Sequence, residues 1–435
     1  MRPNSGGRRS KNIAASIPIV DVFAGPGGLG EGFSAYRTSR GQQLFHVRLS
    51  IEMDRWAHRT LLLRSFLRQF PVECRPAEYY EYLRGEDAWS GASVSDLLQR
   101  FPHQAEAARE EAWLAELRPA LAEDTDRRIT HTLGGRRSRG VWGLVGGPPC
   151  QAYSLVGRAR MLRPQGDRFY ADKRHTLYQE YLRLLARHHP TFFVLENVKG
   201  LLSSKSSGGD NVFERILADL SRPPGSKVRY RLFALSDAQE GQPTLFSPSD
   251  DPASFVVRAE QFGIPQARHR VIILGVAETE LRNRASAPQS LARKTQVATT
   301  SDATKDLPAL RSGLSGVADS CENWLAALRA SNNASWFRDL RRTALGDIAQ
   351  SIQETVKTIQ LPPADRGARF VRCDVNPAIA TDWFSDSRLD GVCNHQSRGH
   401  MLKDLHRYLF VSSYGKCRGK SVSYTHLTLP TKRIV

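Results

Sequence analysis

The sequence has few of the features that mark membrane or secreted proteins. None of its apolar runs approaches the roughly 18 to 20 residues that a membrane-spanning helix needs, and the opening residues MRPNSGGRRSK contain no apolar segment of the kind found in signal peptides. Six cysteines are scattered over 435 residues, too sparsely for a disulfide framework. These absences argue against a membrane protein and a disulfide-rich secreted domain, and they predict a cytoplasmic protein.

A dense group of metal ligands is also lacking. The nearest grouping comprises Cys393, His395, His400 and Cys417, whose spacing contains no tight Cys-x-x-Cys pair. All cysteines except Cys150 are interpreted as small buried hydrophobic residues. We therefore predict that the protein holds no metal.

Acidic residues are in deficit. The chain has 44 Asp and Glu against 62 Lys and Arg, which gives a formal net charge of +18 and predicts a polyanionic partner. With 40% hydrophobic and 24% charged residues, the composition is that of a globular protein and excludes global disorder, collagen-like repeats and a coiled coil. The length is sufficient for two domains.

Apolar runs alternate with helical patterns in the first part of the chain. Short apolar runs predict strands at residues 17–23, 45–51, 141–145, 191–195 and 271–276. Periodic apolar residues predict helices at residues 29–36 and 175–188. This repetition predicts βαβ units and a doubly wound α/β fold with a mostly parallel sheet. Beyond residue 276 the strand signals fade, so we expect a second, smaller lobe there.

Three segments, one of them with an insertion, follow from these patterns. Residues 1–16 form a basic arm that either touches phosphates or is a solvated tail. Residues 17–275 form the α/β domain, and residues 276–420 form the second lobe. Within the α/β domain, residues 74–140 are rich in Glu, Arg and Ala and are predicted to be a helical insertion, with apolar residues at helical spacing: Leu97, Leu98, Phe101, Trp113 and Leu114.

A glycine-rich turn follows the first predicted strand, in the segment DVFAGPGGLG at 21–30. Glycines there let the backbone approach a ligand at the carboxyl edge of a sheet, although a purely structural loop has the same pattern. Glu52 ends the next predicted strand, where a carboxylate can accept hydrogen bonds from two ribose hydroxyls. The pair favours an adenosine-containing cofactor. No lysine follows the glycines, which disfavours a Walker-type phosphate loop.

Three further motifs lie at predicted strand ends. Cys150 follows a Pro-Pro turn, where it can be activated as a thiolate or can be a buried structural cysteine. Glu196 can hydrogen bond and transfer a proton, or it can simply cap the turn after its strand. Arg268 and Arg270 alternate at the entry to the last predicted strand, so both can point one way and bind a phosphate or carbonyl oxygen, or both can be solvated.

Taken in order, the motifs resemble those of the DNA (cytosine-5)-methyltransferases. The resemblance rests on the glycine motif at 21–30, Pro149-Cys150-Gln151, Glu196-Asn197-Val198 and Gln266-x-Arg268-x-Arg270. It covers residues 17 to 276 and implies a Rossmann-like methyltransferase domain that depends on S-adenosylmethionine. A target-recognition lobe after residue 276 is implied as well, since the segments Asp306–Ser315 and Cys393–Arg398 look like segments of bacterial members.

The resemblance implies a set of cofactor-binding residues. Glu52 would hold the ribose hydroxyls, Met53 would lie against the adenine, and Leu177 would contribute an apolar contact. The other implied pocket residues are Phe23, Ala24, Gly25, Gly27, Gly28, Leu29 and Pro149. The family also has an acid after a third strand that contacts the adenine amine. In this chain that region is occupied by the predicted insertion at 74–140, so no residue is assigned.

Cys150, Glu196, Arg268 and Arg270 are the implied catalytic residues. C5 of cytosine becomes nucleophilic enough to take a methyl group once a thiolate has added to C6. Glu196 would stabilise the ring at N3 and the exocyclic amine, and the two arginines would hold the carbonyl oxygen and the adjoining backbone. The implied partner is double-stranded DNA with its target base flipped out. The implied protein is a bacterial, nucleoid-associated monomer that belongs to a restriction-modification system or acts as a solitary methylase.

Two alternatives stay open. One branch of the family methylates cytosine in transfer RNA, so RNA is an alternative substrate. A nucleic-acid-binding protein with impaired catalysis is the other, because the Gly-Asn dipeptide that the family carries near its cofactor does not occur after residue 276. Residues 421–435 do not resemble the family, and VSYTHL within them looks like a translated sequencing adapter. We therefore expect a truncated reading frame with a foreign tail.

Overall fold

A computed structural model of the chain describes residues 16–86, 89–135, 140–148, 167–204, 211–236, 244–245, 252–282 and 290–419. These residues divide into two compact units. The first unit extends to Pro76 and includes Ala92–Thr300, and the second comprises Ala77–Gly91 and the residues from Ser301 onward. Within the described ranges no helix has the length and apolar character needed to cross a bilayer.

Among the described residues, the main sheet of the first unit has nine strands: β1 (Ile17–Val22), β2 (Phe45–Glu52), β3 (Ala112–Leu114), β4 (Gly143–Gly146), β5 (Phe192–Val198), β6 (Tyr230–Ala234), β7 (Thr244–Leu245), β8 (Val256–Arg258) and β9 (His269–Ala277). The second unit has two small sheets, formed by β10 (Gly313–Leu314), β11 (Gly367–Val371), β12 (Val392–Gln396) and β13 (Gly399–His400). In these, β10 pairs with β13 and β11 pairs with β12.

The described helices are α1 (Gly28–Ala35), α2 (Arg55–Arg68), α3 (Ala77–Arg84), α4 (Val94–Gln99), α5 (Pro102–Glu111), α6 (Ala122–Thr132), α7 (Asp167–His188), α8 (Val212–Ser221), α9 (Glu278–Arg282), α10 (Thr300–Thr304), α11 (Cys321–Ala330), α12 (Ser335–Leu340), α13 (Gly346–Thr358), α14 (Thr381–Phe384) and α15 (Leu402–Arg418). Short 3-10 helices lie at Val72–Cys74, Pro119–Leu121, Lys199–Ser203, Pro252–Phe255, Ala259–Phe262 and Ser331–Asn333.

The main sheet has the strand order β3-β2-β1-β4-β5-β9-β6-β7, with β8 paired to β9. Strands β1 to β5 pair in parallel. Strand β9 runs antiparallel to β5, β6 and β8, and β7 runs antiparallel to β6, so β9 and β7 alone of these strands point against the others. The predicted mostly parallel α/β sheet is confirmed. The order reverses between β1 and β4, and ligands of such sheets bind at the carboxyl ends of the strands beside this switch point.

Apolar side chains cover both faces of the sheet, as a doubly wound fold requires. On one face Val20, Leu144 and Phe193 belong to a large cluster that also contains Tyr181 of α7 and Phe213 of α8. On the other face a smaller cluster forms around Ile19, Val47 and Val145, with Leu29 and Phe33 of α1 packed against it. Successive residues of β1 therefore point to opposite faces, as the period of a strand dictates.

The segment predicted as a helical insertion contains α3 to α6, but Trp113 and Leu114 lie on a strand. Residues Ala112 to Leu114 form β3, which pairs in parallel with the end of β2 at the edge of the main sheet. A strand of three residues is too short to show a period-two pattern. Pairing with β2 decides its conformation, and this information is absent from the local sequence.

The second unit has its own apolar core. The cluster includes Trp336 and Phe337 of α12, Ile348 and Ile352 of α13, and Phe410 of α15. Helix α3 belongs to this unit, although it is encoded between two elements of the first. The hydroxyl of Tyr80 on α3 donates to Asp386 Oδ2 at 2.8 Å, and the guanidinium of Arg84 donates to the Arg388 carbonyl at 3.0 Å. The second unit therefore combines residues 77–91 with the chain from Ser301 onward. The sequence analysis placed the start of the second lobe at residue 276.

Candidate active site

The loop after β1 is held against the end of β2 by backbone and carboxylate hydrogen bonds. Ala24 N donates to the Ile51 carbonyl at 3.1 Å, and Gly25 N donates to Glu52 Oε2 at 2.7 Å. The other carboxylate oxygen, Glu52 Oε1, accepts from Asp54 N at 2.7 Å. Phe23 has a φ of 56°, a left-handed conformation that is uncommon outside glycine and that turns the chain sharply at the strand end. The glycine loop and Glu52 are thus joined by hydrogen bonds at the carboxyl ends of β1 and β2.

An open cavity lies at the carboxyl ends of β1 to β4. Its lining comprises Phe23, Ile51, Glu52, Met53, Ala115, Leu117, Gly147 and Leu177. The lining is apolar except for one carboxylate, which suits a ligand with a flat apolar ring and a pair of hydroxyls. Four of the predicted cofactor residues, Phe23, Glu52, Met53 and Leu177, are brought together here although they are far apart in the sequence.

The remaining predicted cofactor residues that the structure describes shape the loop, and they are not part of this lining. Ala24 packs with Leu61 of α2. Leu29 packs against the smaller apolar cluster on the far face of the sheet. Gly27 has a φ of 91°, and a Cβ at this position would lie 2.9 Å from Leu61 Cδ1, so the close packing of loop and helix requires a glycine. Gly28 is the first residue of α1. Pro149 lies outside the described residues.

The end of β5 and the start of β9 bring together three of the predicted catalytic residues. Arg270 Nε lies 2.9 Å from Glu196 Oε1, and Arg268 Nη2 lies 3.9 Å from the same oxygen. The antiparallel pairing of β5 with β9 places Arg270 opposite Val198, which brings both arginines to the strand end that carries the carboxylate. The side chains of Glu196 and Arg270 are each 26% exposed, so this cluster is open to a ligand.

Cys150 lies outside the described residues, and Pro148 is the last described residue before it. The carbonyl of Pro148 accepts a hydrogen bond from Asn197 Nδ2 at 3.3 Å, and Asn197 is buried. This bond ties the chain after β4 to the strand end that carries Glu196. The neighbouring Gly147 lies so close to Glu196 that a Cβ on Gly147 would be 2.9 Å from Glu196 Oε2. Gly147 also lines the cavity, so the cavity and the Glu196 cluster are adjacent.

The histidine between the two arginines points to a different partner. His269 Nε2 lies 2.7 Å from Glu260 Oε1. Burial acts to raise the pKa of Glu260, but its backbone hydrogen bond and the imidazole of His269 hold that pKa below its ordinary value. Ala259 N also donates to the Arg268 carbonyl at 3.0 Å. These contacts fix the entry to β9, from which Arg268 and Arg270 extend.

Asp21 lies beneath the glycine loop and is fully buried. Its Oδ2 accepts from Gly30 N at 3.2 Å. Burial raises the pKa of Asp21 to about 7, although the Gly30 hydrogen bond and the charge of Arg68 act to lower it. Glu111 and Glu52 contribute a further increase because they are like charges. The surroundings of the Asp21 carboxyl therefore favour its protonated form.

Sequence reasoning missed four residues of the cavity lining: Ile51, Ala115, Leu117 and Gly147. Ile51 directly precedes Glu52, and Gly147 lies two residues before Pro149. Ala115 and Leu117 follow β3, which was hidden in the predicted insertion, and Ala115 N donates to the Glu52 carbonyl at 2.9 Å. The short apolar run Ala112–Ala115 followed by Glu116 could have indicated this strand, because the family that the motifs resemble carries an acid after its third strand.

Metal ligands do not cluster in the described part of the chain: no group of three or more His, Cys, Asp or Glu side chains there could hold an ion. The prediction that the cysteines other than Cys150 are buried is wrong, because Cys74 and Cys417 are exposed and Cys321, Cys373 and Cys393 are partly exposed.

Comparison with known proteins decides the family. A sequence model of the family C-5 cytosine-specific DNA methylase matches residues 139–361, which is just over half of the chain. The chain belongs to this family. The matched segment contains the four residues that the resemblance implied as catalytic: Cys150, Glu196, Arg268 and Arg270. The α/β methyltransferase fold agrees with this membership.

Curated relatives of this family member include type II methyltransferases and orphan methyltransferases. Type II methyltransferase M.Bpa9945I of Bacillus paralicheniformis is 31% identical over 266 residues, which cover 59% of this chain and 53% of that protein. Type II methyltransferase M.DdeI of Desulfomicrobium norvegicum is 28% identical over 177 residues, 40% of this chain and 34% of that protein. The chain therefore spans about half, or less, of the length of these relatives.

Among solved structures, Entamoeba histolytica methyltransferase EhMeth matches 72% of this family member and 67% of its own chain, at 12% identity and a TM-score of 0.37. The strand order of the main sheet defines the α/β fold independently of this match.

Proposed function

We propose that the protein transfers a methyl group from S-adenosylmethionine to C5 of cytosine in double-stranded DNA. Family membership supports this reaction, and so does one structural observation. Gly147 lines the cavity beside Glu52 and also abuts Glu196, so a cofactor in that cavity and a base at Glu196 would be neighbours. Methyl transfer requires this adjacency, since the two reacting atoms must meet.

The cavity residues fit the cofactor. The Glu52 carboxylate has two oxygens that already accept one backbone hydrogen bond each, and each oxygen retains a lone pair for a ribose hydroxyl. Phe23, Ile51 and Leu177 offer apolar surface for an adenine ring. When bound, S-adenosylmethionine supplies an electrophilic methyl group on a sulfonium.

Glu116 supplies the acid that the sequence left unassigned. It follows β3 and lies between the two cavity-lining residues Ala115 and Leu117. A carboxylate at this position can accept a hydrogen bond from the adenine amine. Its partial exposure keeps it accessible to a ligand.

The chain's own residues carry out the chemistry on the base. The Cys150 thiolate adds to C6 of cytosine, and the electron pair of the C5–C6 bond makes C5 the nucleophile that takes the methyl group. Loss of the C5 proton to a base then returns the electrons to the ring and breaks the C6–S bond, which restores the thiolate. Glu196 donates or accepts hydrogen bonds at N3 and the exocyclic amine, and Arg268 and Arg270 hold the carbonyl oxygen and the adjoining backbone.

Duplex DNA is the proposed partner because of charge and access. C5 and C6 are inaccessible in a stacked duplex, so the base must be flipped out at a cost of a few kcal/mol. Contacts between basic side chains and phosphates offset that cost. The net charge of +18 shows that the chain has basic side chains in excess for such contacts. We assign the choice of DNA sequence to residues 276–420. The bacterial cytoplasm, the restriction-modification role, the nucleoid association and the monomeric state stay predictions.

Two measurements test this function. Calorimetry with S-adenosylhomocysteine should show one site per chain, and radiolabelled S-adenosylmethionine should label cytosine in duplex DNA. Cys150→Ala should abolish labelling and leave the affinity for S-adenosylhomocysteine within about twofold. The control is Cys74→Ala, which removes an exposed cysteine outside the cavity lining and should leave both the labelling and the affinity for S-adenosylhomocysteine unchanged.

Two other outcomes would establish the alternatives. Label in transfer RNA alone would establish the RNA substrate instead, and DNA binding without labelling of any nucleic acid would establish a binding protein with impaired catalysis.

A further inference from the structure

A largely buried cluster of charges lies near Asp21, around Arg68 at the end of α2. Arg68 forms ion pairs with Glu31 of α1 and with Glu111 at the end of α5. Its side chain is 15% exposed and that of Glu111 is 6% exposed. Ser65 completes the cluster, because its hydroxyl donates to Glu111 Oε1 at 2.7 Å and accepts from Arg68 Nη2 at 2.9 Å.

Each partner of Arg68 belongs to an element that leads into the cavity. Glu31 lies in the first turn of α1, directly after the glycine loop that begins with Phe23. Glu111 immediately precedes β3, whose end leads to the cavity-lining Ala115 and Leu117. Arg68 itself lies on α2, which begins just after Glu52 and Met53. One guanidinium therefore connects the elements next to the ends of β1, β2 and β3, and these strand ends supply six of the eight lining residues.

Other contacts fix the same junction between α5 and β3. His58 Nε2 lies 3.1 Å from the Ala112 carbonyl, so α2 also contacts the start of β3. From the opposite side, Arg128 Nη2 donates to the Arg109 and Glu110 carbonyls at 3.2 and 2.9 Å. The Arg128 guanidinium also lies 5.0 Å from the centre of the Trp113 ring. The position of β3 thus depends on side chains from two helices, and Arg68 is the one that also reaches α1.

We infer that Arg68 is a positioning residue of the cofactor cavity: its guanidinium sets the spacing between the glycine loop and the segment that follows β3. The inference rests on the proposed function, since it assumes that this cavity holds S-adenosylmethionine. Arg68 does not line the cavity, so it acts through the segments that it joins. Without its charge, Glu31 and Glu111 lose their common cation next to the buried Asp21, and the two segments repel each other.

The test compares Arg68→Met and Arg68→Lys with the wild type in calorimetric titrations with S-adenosylhomocysteine. Arg68→Met should raise Kd by about tenfold or more, because small displacements of binding segments are costly, and Arg68→Lys should restore part of the loss. The matched control is Arg59→Met on the same helix, which removes a surface arginine whose contact is with Trp56 and should leave Kd within about twofold.

The stoichiometry of the titration separates positioning from simple folding. A positioning role predicts one site per chain with a weakened Kd, and a KM for the cofactor that rises while kcat at saturating cofactor and KM for DNA stay within about threefold. A lowered number of sites with an unchanged Kd would show a structural role only and overturn the inference. Equal Kd values for the wild type and Arg68→Met would also overturn it.

Glu31→Gln gives a second route if Arg68→Met does not fold. It removes the more exposed ion pair and leaves the Glu111 pair in place, and we expect Kd to rise by about threefold. An unchanged Kd in this variant would contradict the inference. Failure of the wild type to bind S-adenosylhomocysteine would refute the proposed function itself, so the two failures are distinguishable.

Discussion

The buried Asp21 carboxyl allows a quantitative prediction for the variant Asp21→Asn. Burial raises the pKa of Asp21 from 3.8 to about 7 in the folded protein. As pH rises from 3.8 to about 7, the unfolded chain releases this proton while the folded chain retains it, so wild-type stability falls over that interval. The full loss, from a shift of about three pKa units, is on the order of 4 kcal/mol. Asparagine cannot ionise and avoids this loss.

Two pH values, one near the middle of this interval and one above it, give the expected difference in the free energy of unfolding. At pH 5.5 about half of the loss has accrued, and at pH 8.5 it is complete. The free energy of unfolding of Asp21→Asn, relative to the wild type, should therefore increase by about 2 kcal/mol between these pH values. Any constant cost of placing an amide beneath the glycine loop is the same at both pH values and cancels in the comparison.

Urea denaturation at pH 5.5 and pH 8.5, followed by circular dichroism, measures this difference. The control is Asp124→Asn, which alters a carboxylate on the surface of α6 and should change the free energy of unfolding by less than about 0.5 kcal/mol at either pH. A difference between Asp21→Asn and the wild type that does not grow with pH would refute the reasoning. That result would mean that Asp21 is ionised in the folded protein throughout this range.

Three further predictions concern the site and the second unit. Cys150→Ser should lower the rate of methyl incorporation into duplex DNA by at least about 10⁴-fold, measured with radiolabelled cofactor, while the affinity for duplex DNA stays within about threefold. Gly147→Ala should lower the same rate by about tenfold or more, since its Cβ would lie 2.9 Å from Glu196 Oε2 and must displace that carboxylate; an unchanged rate would show that Glu196 has room to move. Tyr80→Phe removes the donor to Asp386 Oδ2 and should destabilise the second unit by about 1 kcal/mol, detected by hydrogen exchange of α3 and α14; unchanged exchange would contradict this.

Features that depend on adjacent residues could be predicted from the sequence. The strand, glycine loop and helix at the start of the chain are confirmed because apolar runs and glycines act locally. The grouping of Phe23, Glu52, Met53 and Leu177 followed from the family resemblance, and the structure brings these residues together in one cavity. The roles assigned to them stay proposals.

Features that depend on distant pairing could not be predicted. Strand β3 has three residues and owes its conformation to β2, so the sequence placed Trp113 and Leu114 on a helix. Helix α3 packs with the second unit through Tyr80, although 306 positions separate it from Asp386. The ion pairs of Arg68 likewise join residues about 40 positions apart, so no local sequence pattern indicates them.

The central claim is that Cys150 forms a transient bond to C6 of a flipped cytosine in duplex DNA. The most direct test incubates the protein and S-adenosylmethionine with duplexes of randomised sequence that carry 5-fluorocytosine, from which the C5 substituent cannot leave as a proton does. Mass spectrometry should detect a denaturation-resistant adduct of protein, DNA and one added methyl group, and the adduct should be absent for Cys150→Ser. If the wild type binds both S-adenosylhomocysteine and duplex DNA yet forms no such adduct, the account is contradicted.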